Sequence, residues 1–120
     1  MAAHNELGKF GEELAVAFLQ KAGYQILETN WTFQKAEVDI IAIRADILAI
    51  IEVKTRSSLA FGSPQDFVKP KKINLLVKAI NEYVISNDID ATVRFDIMSI
   101  HKEENAYKIE HIEDAFFYFQ

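Results

Sequence analysis

Residues 37–55 read EVDIIAIRADILAIIEVKT: two dense runs of β-branched and aliphatic residues, Glu37 to Arg44 and Ile47 to Thr55, parted by Ala45-Asp46. Such runs on either side of a two-residue break predict a β-hairpin. With an even-length turn centred between Ala45 and Asp46, Arg44 faces Ile47, and counting outward puts Asp39 opposite Glu52 and Glu37 opposite Lys54. Side chains alternate along a strand, so these four residues are expected on one face at the open end of the hairpin. Farther along that face come Ile41, Ile43, Leu48 and Ile50, while the reverse face offers Val38, Ile40, Ile51 and Val53. A hairpin apolar on both sides is expected inside a sheet that is covered on both faces.

That setting makes the polar end chemically informative. Opposed strand residues stand about 4.5–5.5 Å apart at Cβ, and two carboxylates held so close at part-buried positions either raise a pKa or demand a cation. A salt bridge from Lys54 accounts for one carboxylate and leaves two of Glu37, Asp39 and Glu52 without a partner. A hard divalent ion, Mg2+ or Mn2+, resolves the conflict. Magnesium takes oxygen ligands at about 2.0–2.1 Å, keeps several waters and is commonly held by one or two carboxylates plus a substrate phosphate. Asp39 and Glu52 suit the ligand role, the backbone carbonyl of Val53 could complete the coordination, and Lys54 can hold the attacking water or the phosphate.

The flanking sequence supplies the rest of the fold. From Glu6 to Ala22, apolar residues at Leu7, Phe10, Leu14, Ala17, Phe18 and Ala22 recur at helical spacing, and Gly23 follows as a C-terminal cap. Tyr24 to Phe33 is rich in β-formers and predicts a strand with an irregularity near Asn30. Beyond the hairpin, Gly62 and Pro64 mark a loop, and Pro70 opens a second helix to about Ser86 with the stripe Ile73, Leu76, Val77, Ile80 and Val84. Ala91 to His101 and Ala106 to Ile112 predict a second hairpin turning through Glu103-Glu104-Asn105. The order α-β-β-β-α-β-β predicts an α/β (α+β) domain, a mixed central sheet flanked by helices, spanning residues 1–120 as one unit.

Composition narrows the function classes. The 120 residues contain no cysteine, which excludes disulfides, cysteine-ligated zinc and thiol catalysis. No apolar run approaches the roughly 20 residues of a membrane helix and no basic or apolar leader opens the chain, so the expectation is a cytoplasmic protein without a membrane partner. The net charge of −5 argues against binding nucleic acid by bulk charge. Yet Lys54 to Lys78 carries six bases (Lys54, Arg56, Lys69, Lys71, Lys72, Lys78) and one acid, Asp66, a segregation that fits either a solvated helix face or an anion-binding surface. Arg56 and Lys72 are the favoured contacts to flanking phosphates, whereas Lys69 and Lys71 read as solvated helix-entry residues. His4, His101 and His111 lie among polar residues without ligand spacing and read as surface residues. Trp31 reads as core rather than as a base-stacking platform, and the tail Phe116 to Phe119 as docked on the core, with a homodimer interface as the alternative.

Asp39 with Glu52-Val53-Lys54 resembles the PD-(D/E)xK nuclease superfamily, whose core order is similar to the one read above. Nearly the whole chain, from about residue 8 to 100, resembles the bacterial YraN-like family, relatives of archaeal Holliday-junction resolvases. The likeness is carried by Gly8-x-x-Gly11-Glu12-x-x-Ala15, Gly23-Tyr24, Asn30-Trp31, Glu37-Val38-Asp39-Ile40-Ile41, Glu52-Val53-Lys54-Thr55-Arg56, Phe61-Gly62-x-Pro64, Val68, Lys72 and Arg94-Phe95-Asp96. The resemblance implies a restriction-endonuclease-like core, metal-dependent hydrolysis of DNA phosphodiesters, branched or structured DNA among them, and a further acidic site residue at Glu12. Glu37 matches the acid two residues before the aspartate. Ala36 departs from the glycine usual there, and its Cβ could alter the backbone at the edge of the site. A nucleic-acid-binding module that keeps the fold without turnover is the alternative, and a hydrolase of small phosphate esters finds no Gly-rich pocket to support it.

Overall fold

A computed structural model describes residues 2–56 and 70–115, with backbone alone for 2–7 and Pro70. The elements are α1 (Ala2–Lys21), β1 (Gln25–Phe33), β2 (Ala36–Arg44), β3 (Ile47–Arg56), α2 (Pro70–Ser86), β4 (Thr92–Lys102) and β5 (Tyr107–Ile112). The loop at Gly62 and Pro64, the positions Phe61, Val68 and Lys69, and the tail Phe116 to Phe119 lie outside the described residues.

The five strands form one mixed sheet in the order β1-β2-β3-β4-β5. All neighbours run antiparallel except β3 and β4, which are parallel and joined through α2. The expected α+β architecture is present, with a helix on each face. On one face Ile41, Leu48, Ile50 and Ile97 pack with Ile73, Leu76, Ile80 and Tyr83 of α2. On the other, Ile40, Ala42, Ala49, Ile51 and Met98 pack with Ala15 and Leu19 of α1. The hairpin is therefore interior, as its apolar content on both sides requires. No described helix is long and apolar enough to cross a membrane.

Helix α1 ends as Gly23 predicts. Gly23 has φ 93°, its amide donates to Gln20 O (3.1 Å) and the Tyr24 amide donates to Leu19 O (2.9 Å), a Schellman closure that only a residue at ease with positive φ makes cheaply. The helix contacts the sheet through a different stripe from the one expected. Gly11, Ala15 and Leu19 are buried while Phe10 and Phe18 are 42% and 36% exposed. Small residues at i and i+4 let the helix approach β3 closely, and the two rings are pushed to its flank, where Phe10 meets Tyr107 and Phe18 meets His111. Val77 in α2 is likewise 48% exposed rather than part of the buried stripe, which runs Ile73, Leu76, Ile80 and Tyr83.

The two glycines of α1 yield a paired prediction. A Cβ at Gly11 would lie 3.0 Å from both Cβ and Cγ2 of Thr55, whereas one at Gly8 meets nothing within 4 Å. Gly8→Ala should stabilise the protein by about 0.5–1 kcal/mol through backbone entropy. Gly11→Ala should destabilise it by roughly 1–3 kcal/mol, because overpacking against β3 outweighs the same entropic gain. Urea unfolding of both variants tests the opposite signs.

Candidate metal and phosphate site

The β2–β3 pairing follows the expected register from Arg44↔Ile47 to Ile40↔Ile51 and stops there. Asp39 is thus not ladder-paired with Glu52, nor Glu37 with Lys54. Beyond Ile40 the strands are held by a side chain: the Val53 amide donates to Asp39 Oδ2 at 2.7 Å. The face alternation also breaks at this point, since Val38 packs with Ile41 on the α2 side instead of with Ile40 on the reverse face. The carboxylates nevertheless converge, because Glu37, Asp39 and Glu52 line one small cleft, floored by Val38, Ile50 and Leu76.

Three further elements complete the surroundings. Lys54 Nζ lies 3.3 Å from Glu52 Oε1, two residues along β3 on the same side. Lys72, from the first turns of α2, pairs with the same oxygen. Glu52 Oε1 therefore faces two ammonium groups, while Oε2 is buried and accepts no hydrogen bond among the described residues. Glu12 of α1 approaches from the opposite face of the sheet, close enough for its charge to act on Asp39. Burial pushes the Asp39 carboxyl up to about 6; the Val53 amide opposes this, the charges of Glu52 and Glu12 add to it, and Lys72 again lowers it.

A buried carboxylate oxygen without a donor, beside a second carboxylate whose ionisation is resisted, is a donor set suited to a hard cation. Among the described residues no group of three His, Asp or Glu side chains is arranged to hold a metal. Asp39 and Glu52 could supply two of the oxygen ligands such an ion takes, with the other positions falling to water or phosphate. Glu37 stands exposed on the rim, where a second cleft brings it together with Lys35 and Lys72. Arg56 closes β3 on the face of Glu52 and Lys54, opposite His101 of β4.

Two of the three histidines are not surface residues. His111 is 10% exposed and its Nε2 lies 2.8 Å from Oδ2 of the fully buried Asp96. His101 is half-buried, with Nε2 3.1 Å from Ser99 Oγ. Both make their partners through the sheet, His101 along its own strand and His111 on the neighbouring one, which sequence spacing does not register. His4 belongs to the segment whose side chains lie outside the description. Trp31 is part-buried and packs against the core, stacked on Phe33 and edge-on to Tyr83.

A mixed five-stranded sheet between two helices, with acids and lysines gathered where its central hairpin opens, defines the class: an α+β protein with one polar site set in an otherwise apolar hairpin. The chain belongs to Uncharacterised protein family UPF0102, whose model matches residues 11–100. It is 71% identical over 119 residues to a UPF0102 protein of Flavobacterium psychrophilum, covering 99% of this chain and all of that one. A UPF0102 protein of Christiangramia forsetii is 62% identical with the same coverage, and one of Parabacteroides distasonis is 48% identical over 98% of this chain and 97% of its own.

Proposed function

We propose that this protein is a divalent-metal-dependent nuclease of the PD-(D/E)xK type, of the YraN-like branch related to archaeal resolvases, hydrolysing phosphodiester bonds in DNA. The observation that carries the reading is the buried, undonated Oε2 of Glu52 beside Asp39, with Lys54 on the same strand. Asp39 and Glu52 would hold Mg2+ or Mn2+, aided by the Val53 carbonyl, and the ion would supply Lewis acidity toward the phosphate and an activated water. Lys54 sets an ammonium where negative charge grows as phosphorus is attacked. Lys72 and Arg56 neutralise flanking phosphates and fix the register of the strand without reading its sequence. Glu12 and Glu37 are the carboxylates left to accept the proton that the attacking water gives up.

A second reading is a module that keeps this fold and binds nucleic acid without cleaving it. One experiment separates the two: linear, nicked, flapped and four-way DNA incubated with Mg2+ or Mn2+, with the wild type and with Asp39→Ala, Glu52→Ala and Lys54→Ala. The nuclease reading predicts cleavage by the wild type alone. Cleavage that survives all three substitutions sinks it, and binding without cleavage of any substrate selects the second reading. Gel filtration of the same samples decides whether the species acting on DNA is a homodimer.

A further inference from the structure

Asn30 lies in the interior of β1 with φ 51°, a left-handed conformation that breaks strand geometry. The flanking pairs Thr29↔Ile40 and Trp31↔Val38 place it across from Asp39. Both strands lose their alternation at this level. In β2, Ile40 faces α1, yet Val38, two residues away, faces α2. In β1, Thr29 and Asn30 line a cleft with Glu12 and Lys9 on the α1 side, and Trp31 turns to Tyr83 on the α2 side. This is also where the β2–β3 ladder stops and the Asp39 carboxylate, instead of a main-chain group, receives the Val53 amide.

We infer that Asn30 is a positioning residue for the site: its left-handed backbone kinks β1 and β2 together, turning Asp39 out of the ladder so that its carboxylate reaches Val53 and the cleft beside Glu52. Only glycine and, less readily, asparagine or aspartate adopt that backbone without a steric penalty, and a β-branched residue resists it most. A regular strand at Asn30 would let β2 continue its pairing past Ile40, with Asp39 held against β3 rather than free to ligate. The inference rests on the reading of Asp39 as a ligand, but its geometric part can be tested alone.

The test uses the full chain, 15N-labelled, as wild type, Asn30→Gly, Asn30→Ala and Asn30→Val. The Val53 amide reports the bond to Asp39, and Mn2+ titration reports the site. Asn30→Gly should keep the wild-type Val53 amide shift and Mn2+ affinity. Asn30→Val should move that shift, speed exchange of the Val53 amide at least about tenfold while the β3–β4 amides stay protected, and weaken Mn2+ binding about 10–100-fold. Asn30→Ala should fall between, and decides the matter if the valine variant does not fold. A Val53 amide unchanged in folded Asn30→Val or Asn30→Ala, or lost in Asn30→Gly, overturns the inference. Wild-type protein that binds no Mn2+ overturns the functional reading instead, leaving the amide comparison to judge the kink.

Discussion

Asp39→Asn is expected to lower metal-dependent cleavage by about 10²–10³-fold, the scale on which loss of a central electrostatic group acts in such sites, and at the same time to make the protein more stable at neutral pH. Asparagine keeps the shape of the side chain and an oxygen to accept the Val53 amide, but carries no charge to be desolvated beside Glu52 and Glu12. The sign follows from the shift. With the folded-state value raised from 3.8 to about 6, the native state holds a proton that the unfolded chain has released, so wild-type stability should fall as pH rises through that window. Between 3.8 and about 6 the loss is on the order of 3 kcal/mol. Urea unfolding at several pH values should show this slope in the wild type and not in Asp39→Asn. Mn2+ should restore stability to the wild type alone.

The second large effect is structural. Asp96→Ala is expected to cost roughly 3–5 kcal/mol, the penalty for leaving the partners of a buried ion pair uncompensated, which corresponds to a fall in melting temperature of roughly 10–20 °C. Asp96 is fully buried. Arg94 donates from Nε to Oδ1 (2.9 Å) and from NH2 to Oδ2 (2.8 Å), while the Asp114 amide donates to Oδ1 (3.0 Å) and His111 lies against Oδ2. Arg94 also donates to the Tyr24 hydroxyl (2.5 Å), tying the exit of α1 to β4 and β5. Burial alone would raise the Asp96 pKa, but the hydrogen bonds from His111, Arg94 and Asp114 outweigh it and hold the carboxyl below its ordinary value. Its contribution is therefore present above the unfolded-state pKa and lost as pH falls below it, the reverse of Asp39. An acid titration of the melting temperature should show the Asp96 loss only at the low end.

The contrast between these two aspartates also shows where a sequence can be read and where it cannot. The apolar hairpin announced its own interior position, its turn and its register from Arg44 to Ile40, because period-two alternation and a two-residue turn leave little freedom. It also announced that acids and a lysine gather at its open end. The break at Asp39 was not legible, since it depends on one dihedral angle in a neighbouring strand, and the irregularity expected near Asn30 gave no hint of its reach into β2. Helical periodicity found α1 and misjudged its buried side, because Gly11 and Ala15 carry little hydrophobic signal, yet Gly11 makes the close approach to Thr55 and Leu19 continues the stripe. The Asp96 network joins residues from four segments, and no local pattern in Arg94-Phe95-Asp96 points to His111 or Tyr24.

Glu12 illustrates a third case. On α1 it looks like any solvated glutamate, and its proximity to Asp39 is created by the tight packing of Gly11 against Thr55 one residue earlier. The small residue and the acid thus work as a pair: the first brings the helix close, and the charge of the second then acts on Asp39.

The most direct measurement is calorimetric titration of Mn2+ into the wild type, Asp39→Asn and Glu52→Gln at a pH above 6. If Asp39 and Glu52 share one ion, the wild type binds Mn2+ with a stoichiometry of one, and each substitution removes binding while leaving the fold intact. Equal binding by all three proteins, or none by the wild type with DNA present or absent, would contradict it.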